Sequence, residues 1–102
     1  MENGKYIIGD VIITPAVARI TLALLKTAVA EETFRLPRSS VARLWTAERG
    51  TKFPGEIANK AYVKLDRIGA ITRTPETITI ADVDKLWAIV QEFDTTGRYS
   101  TP

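Results

Sequence analysis

The sequence predicts a mainly α domain with a small β-hairpin, an α+β fold of three to four helices, and three observations point to it. Apolar residues recur at helical spacing in several separate segments. Two short β-branched runs flank Thr74-Pro75-Glu76, between the last two helical segments. The chain has 102 residues, 45% of them hydrophobic, enough for one domain to bury a core without disulfides, and it has no cysteine to form any.

Tyr6 to Ile13 is β-branched and aromatic on both sides of Gly9-Asp10, which predicts a strand interrupted by a bulge or tight turn. Thr14-Pro15 has the form of an N-cap followed by proline at the first helical position, opening a helix over 14–32. Val17, Ile20, Leu24 and Ala28 make one row on it, and Ala18, Leu22, Leu25 and Val29 a second row beside the first. So broad an apolar face is either buried within its own domain or shared with a second subunit. Thr33 to Leu36 is an extended stretch closed by Pro37, and a second helix is expected over 37–46 with Val41, Leu44 and Trp45 inward. Thr46 to Lys52 has no apolar period and contains Gly50, a stop signal, so it is expected to be a polar loop or frayed helix end.

A third helix is expected over 54–68 with Ile57, Ala61, Leu65 and Ile68 on its inner stripe and Gly69 ending it. Residues 70–80 form the hairpin, and Asp82 caps a last helix over 82–93 with Val83, Leu86, Trp87, Val90 and Phe93 inward. The expected domain is thus 1–93. The polar residues 94–102 are expected to be a disordered tail. Trp45, Trp87, Phe34 and Phe93 lie on apolar stripes and are expected in the core rather than stacked on bases, whereas Tyr62 is open to either role.

Histidine is absent along with cysteine, so a Ser-His-Asp triad, a thiolate nucleophile and His- or Cys-ligated metal sites are excluded. No phosphate-cradling glycine loop or paired-carboxylate arrangement is present, and the chain is not expected to be an enzyme or to carry a cofactor. Asp82 and Asp84 could suggest a metal pair, but the helix macrodipole explains acids at a helix start and no further ligands accompany them, so no metal is expected. No apolar run has the length of a membrane span, and Met1 to Lys5 do not resemble a signal peptide, which predicts a cytoplasmic protein with no membrane partner.

The net charge of +2 conceals a strong asymmetry. Residues 1–34 carry three Lys/Arg against four Asp/Glu, residues 35–73 nine against three, and residues 74–102 two against five. The positive segment spans the two central helices, the loop between them and the first hairpin strand, a distribution suited to duplex phosphate. The order helix, short strand, helix, helix, hairpin, helix describes a winged helix-turn-helix domain. In that fold the helix before the hairpin enters the major groove, the preceding helix crosses the backbone and the hairpin, the wing, reaches phosphate or minor groove.

Gly55 to Ile71, followed by Thr72 to Asp82, resembles the recognition helix and wing of the Crp/Fnr family of bacterial regulators. Leu36-Pro-Arg-Ser-Ser-Val-Ala-Arg-Leu44 is similar to that family's preceding helix and to the Leu-Pro-Ser opening of GntR-type regulators. The resemblance implies base-reading positions at Gly55, Glu56 and Lys60. Glu56 has the chemistry to accept from cytosine N4 and Lys60 to donate to guanine O6 and N7, while Gly55 replaces a position where the family commonly has arginine. The connection between the two helices is longer than the family's, and the family's sensor domain has no counterpart, so no small-molecule effector is implied.

The candidate DNA-binding residues are Arg38, Ser39 and Ser40 at the start of the second helix, Lys52 in the loop, Glu56, Asn59, Lys60 and Lys64 on the third helix, and Arg73 on the wing. Lys64 and Arg67 have an alternative role as a solvated helix face. The expected function is that of a small transcriptional regulator or a plasmid or phage maintenance factor, binding double-stranded DNA as a homodimer. The alternative is a winged helix used as a protein-protein interaction module in a larger assembly, which an apolar recognition face would favour; Tyr62 and Val63 give it support.

Overall fold

Thr14 is extended and its hydroxyl accepts from the Val17 N–H, so the longest helix begins where a side-chain oxygen replaces the missing intrahelical partner, with Pro15 at the first position. The computed structural model describes residues 6–96. In chain order it contains β1 (Tyr6–Ile8), β2 (Val11–Ile13), α1 (Pro15–Glu31), β3 (Arg35–Pro37), α2 (Arg38–Arg49), α3 (Gly55–Arg67), β4 (Ile71–Arg73), β5 (Thr77–Ile80) and α4 (Val83–Thr96). The fold is α+β: four helices and two small antiparallel sheets.

The Gly9-Asp10 pair makes a two-residue hairpin turn between β1 and β2, with Gly9 at φ 62°, a backbone region that a Cβ disfavours. Register pairs Tyr6 with Ile13 and Ile8 with Val11. Val11 and Ile13 point into the core, and Tyr6 meets Phe93 of α4 edge-on at 6.4 Å between ring centroids.

The second sheet has the order β3-β5-β4. Its outer strand β3 precedes α2 and α3 in the chain, so both helices are inserted between strands of one sheet. Leu36 opposite Ile78, and Ile71 opposite Ile80, turn their side chains to the core, while Thr72, Thr79 and Arg35 share the outer face. Helix α1 runs through the middle of the molecule and packs against α2, α3 and α4. Its buried threonines satisfy their hydroxyls on their own helix, Thr21 to the Val17 carbonyl and Thr27 to the Ala23 carbonyl.

Several expectations change. Helix α2 continues through Arg49, so Thr46 to Arg49 are helical; Gly50, at φ 72°, is the stop, and the connection to α3 shrinks to 50–54. Helix α4 continues to Thr96, three residues into the stretch expected to be a disordered tail; residues 97–102 lie outside the described residues. The buried face of α3 is Ala58, Ala61, Tyr62 and Leu65, rotated from the expected stripe, and Ile57 is exposed. Phe34 and Trp87 are also exposed rather than in the core. Phe34 stands at the end of β3, its carbonyl accepting from the Ile80 N–H at 2.9 Å, and its side chain is exposed. The inner face of α4 is already filled by Leu86, Ile89, Val90 and Phe93, which leaves Trp87 on its flank.

Glu32 ends α1 in the left-handed region at φ 57°, a position glycine occupies more easily. Left-handed backbone costs an L residue roughly 1–2 kcal/mol, and glycine adds about 0.5–1 kcal/mol of unfolded-chain entropy. Glu32→Gly is therefore expected to raise stability by about 0.5–1 kcal/mol, measured by urea denaturation at constant m-value.

Candidate nucleic-acid interface

Helix α3 carries four of the nine candidate residues, and its ends are defined by local chemistry. Glu56 places a carboxylate in the first turn, and Lys64 and Arg67 place cations in the last, all favourable to the helix dipole. At the C-terminus, Gly69 (φ 80°) donates to the Asp66 carbonyl and Ala70 donates to the Leu65 carbonyl, the paired bonds of a Schellman ending. Lys85 of α4 adds its ammonium to the Ile68 carbonyl at 2.7 Å. The turn delivers the chain directly into β4, so helix and hairpin are rigidly adjacent. With Ala58, Ala61, Tyr62 and Leu65 inward, the outward residues of α3 are Gly55, Glu56, Ile57, Asn59, Lys60, Val63 and Arg67.

Arg38, the first residue of α2, ties three elements together. Its Nε and Nη2 both donate to the Thr74 carbonyl in the β4–β5 turn, at 3.0 and 2.7 Å. Its Nη1 donates to Asn59 Oδ1 at 3.2 Å, and its guanidinium carbon lies 5.2 Å from the centroid of the Tyr62 ring, both on α3. The Arg38 backbone N–H donates to the Glu76 carbonyl of the same turn. The turn is closed internally by the Thr74 hydroxyl, which accepts from the Glu76 and Thr77 N–H groups.

The remaining candidates divide by whether the fold has already engaged them. Ser39 is exposed at the start of α2, but Ser40 is buried, its hydroxyl accepting from Arg43. Lys52 is exposed in the connection, and Glu56 and Lys60 are exposed on α3. Lys60 has no hydrogen-bond or ion-pair partner among the described residues. Lys64 instead donates to the Ile12 carbonyl at 2.8 Å, pinning α3 to the N-terminal hairpin, and Arg67 pairs with Asp10 of that hairpin at 2.8 Å. Arg73 pairs with Asp66 at 2.9 Å, fastening β4 to the end of α3. Four of the expected cations, Arg38, Lys64, Arg67 and Arg73, thus hold the helix and hairpin in place. Arg35, a candidate missed in the sequence, is exposed on the outer face of the sheet beside Thr79; its place in the positive segment was the available signal.

Exposed apolar side chains also lie on and near α3. Val63 is 48% exposed, and Ile7 and Ile12 form an exposed cross-strand pair on the N-terminal hairpin. Val63 and Ile12 line one shallow hollow with Lys64 and Arg67. A separate open groove of about 410 Å³ is lined by Leu22, Leu25 and Val29 of α1, Leu44 of α2 and Trp87 of α4, with the Lys26–Glu48 ion pair among its lining residues. None of its lining residues comes from α3 or the β4–β5 hairpin.

Tyr62 is 2% exposed, and its hydroxyl has no hydrogen-bond partner among the described residues. Burial pushes its pKa up to about 12, and the nearby Arg38 charge opposes this only partly. Its role is therefore to support α3 from below, with the ring under Arg38.

Among the described residues no group of three or more His, Cys, Asp or Glu could hold a metal ion, and no helix is long and apolar enough to cross a membrane. Compared with protein-family models, curated proteins and solved structures, the chain matches none.

Tyr62 has a folded pKa above its unfolded value, so neutral Tyr62 contributes stability that is complete below pH 10 and is lost as the pH rises toward 12. Tyr62→Phe removes both this dependence and the unpartnered hydroxyl. Chemical denaturation across pH 7–12 should show the variant at least as stable as the parent at pH 7, with the difference widening in its favour by about 2 kcal/mol above pH 10.

Proposed function

We propose that the chain is a winged helix-turn-helix protein that binds double-stranded DNA, a small transcriptional regulator or a plasmid or phage maintenance factor. Helix α3 is the recognition helix, α2 crosses the sugar-phosphate backbone and the β4–β5 turn is the wing. The observation that carries this reading is the outward face of α3, where Glu56, Asn59 and Lys60 stand exposed on a helix locked to the adjacent hairpin through Arg38. The sheet order β3-β5-β4, with α2 and α3 inserted between β3 and β4, supports the winged helix reading, because it leads the chain straight from recognition helix to wing. Lys52, Ser39 and Arg35 supply exposed donors for phosphate.

Base contact falls to the residues the fold leaves free. Lys60 donates to guanine, Glu56 accepts from cytosine, and Val63 offers methyls to thymine. Lys64 and Arg73 act one step back, holding the helix and wing in register through Ile12 and Asp66. The protein acts as a homodimer in the cytoplasm. The groove between α1, α2 and α4 leaves α3 and the wing free in each subunit, and a symmetric pair would read an inverted repeat with half-sites about 34 Å apart.

A second reading, a protein-protein interaction module, is favoured by one feature: Val63 beside the Ile7–Ile12 pair puts exposed apolar surface next to the recognition helix. The two readings differ in salt dependence. Fluorescence anisotropy with mixed-sequence duplex DNA is expected to show affinity falling steeply as salt rises, and Lys52→Ala to lower the log–log salt slope by about 0.9. Lys60→Ala is expected to weaken binding by roughly 5- to 100-fold, whereas Lys64→Ala, which removes the bond to the Ile12 carbonyl, is expected to lower stability and to cost less affinity than Lys60→Ala. Absence of binding at low salt would select the interaction-module reading. Sedimentation equilibrium should give a molar mass twice that of the 11.3 kDa chain, returning toward the single chain with Trp87→Glu.

A further inference from the structure

Asn59 is the outward residue of α3 whose carboxamide is oriented by Arg38 of α2. A carboxamide has an acceptor end, Oδ1, and a donor end, Nδ2; a guanidinium only donates. The atom facing Arg38 Nη1 at 3.2 Å is therefore the oxygen, whichever way an unconstrained amide would turn. Arg38 is itself immobilised by its two bonds to the Thr74 carbonyl and its position over the Tyr62 ring. An asparagine that reads adenine does so with both ends at once, accepting from N6 while donating to N7, and must turn its whole oxygen–nitrogen edge to the base. Arg38 takes one of the two lone pairs of this oxygen and turns Oδ1 toward itself, so Nδ2 is the end of Asn59 whose hydrogen-bonding capacity is wholly free.

Resting on the DNA-binding reading, we propose that Arg38 orients Asn59 with Nδ2 as its base-reading end, so that Asn59 favours guanine over adenine in the major groove. Guanine presents two acceptors there, O6 and N7; adenine presents N7 next to an N6 donor, which opposes a second donor. Lys60 follows Asn59 in the chain, about 100° further round the helix, and is exposed and unpaired among the described residues, so a second donor stands on the same outward side of α3. Glu56, about one turn before Lys60, complements them by accepting from cytosine N4. Arg38 is thus a positioning residue: it touches no base in this scheme, yet it sets which base a neighbour accepts.

The test is selection from a random-sequence duplex library with the full chain, followed by affinity measurements on the enriched site and its single-base variants. The parent is expected to enrich guanine at the position addressed by Asn59, with adenine there binding about tenfold more weakly. Asn59→Ala should erase the preference at that one position and leave the others. Asn59→Asp, which keeps the bond to Arg38 but offers only acceptors, should shift it to cytosine. Arg38→Ala, where it folds, should admit adenine by freeing the amide edge. The two Asn59 variants decide the matter independently of how Arg38→Ala folds. Enrichment of adenine at a position sensitive to Asn59, or a selected site unchanged by Asn59→Ala, overturns this proposal while leaving DNA binding standing. A library from which no duplex is retained at low salt overturns the DNA-binding reading itself and this proposal with it.

Discussion

The Arg38 guanidinium is the point at which α2, α3 and the β4–β5 turn are joined. It joins the start of α2 to the middle of α3 through Asn59 and Tyr62, and to the β4–β5 turn through the Thr74 carbonyl. The strands flanking that turn are short, three residues in β4 and four in β5, and α2 lacks a side-chain N-cap. A planar, permanently charged group with donors in a rigid fork suits such a junction in a way lysine would not. The same contact explains why Tyr62 tolerates a buried hydroxyl without a partner among the described residues. Its ring is the platform beneath the cation, and that use favours an aromatic residue whatever becomes of its oxygen.

Around that junction the basic residues separate into two kinds. Lys64, Arg67 and Arg73 are drawn into contacts with Ile12, Asp10 and Asp66, where they fasten α3 to the N-terminal hairpin and to β4. These bonds are largely exposed, and each contributes little stability alone. Their consequence is geometric: α3 is held on three sides by polar contacts while its apolar face rests on α1. Lys52, Lys60 and Arg35 are exposed and their side chains unengaged among the described residues, and they contribute free positive surface. Charge counted along the chain overstates that surface, because part of it is spent inside the fold.

Much of the architecture was legible before any coordinates. The Thr14-Pro15 helix start, the Gly9-Asp10 turn, the Gly69 stop and the Thr74-Pro75-Glu76 hairpin are local signals whose physics is complete within a few residues, and all appear where expected. The candidate site was legible as a set of residues, yet their roles were less so. Arg38, expected to meet phosphate, bonds the Thr74 carbonyl of the β4–β5 turn, and Ser40, expected beside it, is buried. Ile57, Phe34 and Trp87 have the hydrophobicity of core residues and lie at the surface, since the buried face of α3 is rotated from the expected stripe, Phe34 stands at the end of β3 and the inner face of α4 is already full.

By itself the sequence determined the elements, their order and the charge distribution, because caps, turn residues and apolar period act through neighbours along the chain. Only the tertiary structure decided which strand joins which sheet, which face of α3 looks outward and which cations are free. Those outcomes depend on pairs such as Arg38 with Thr74, Lys64 with Ile12 and Leu36 with Ile78, whose partners lie tens of residues apart. A side chain's hydrogen-bonding capacity is written in its type. Whether another part of the same chain has already claimed that capacity is settled only by packing, and on α3 it separates Lys60 from Lys64.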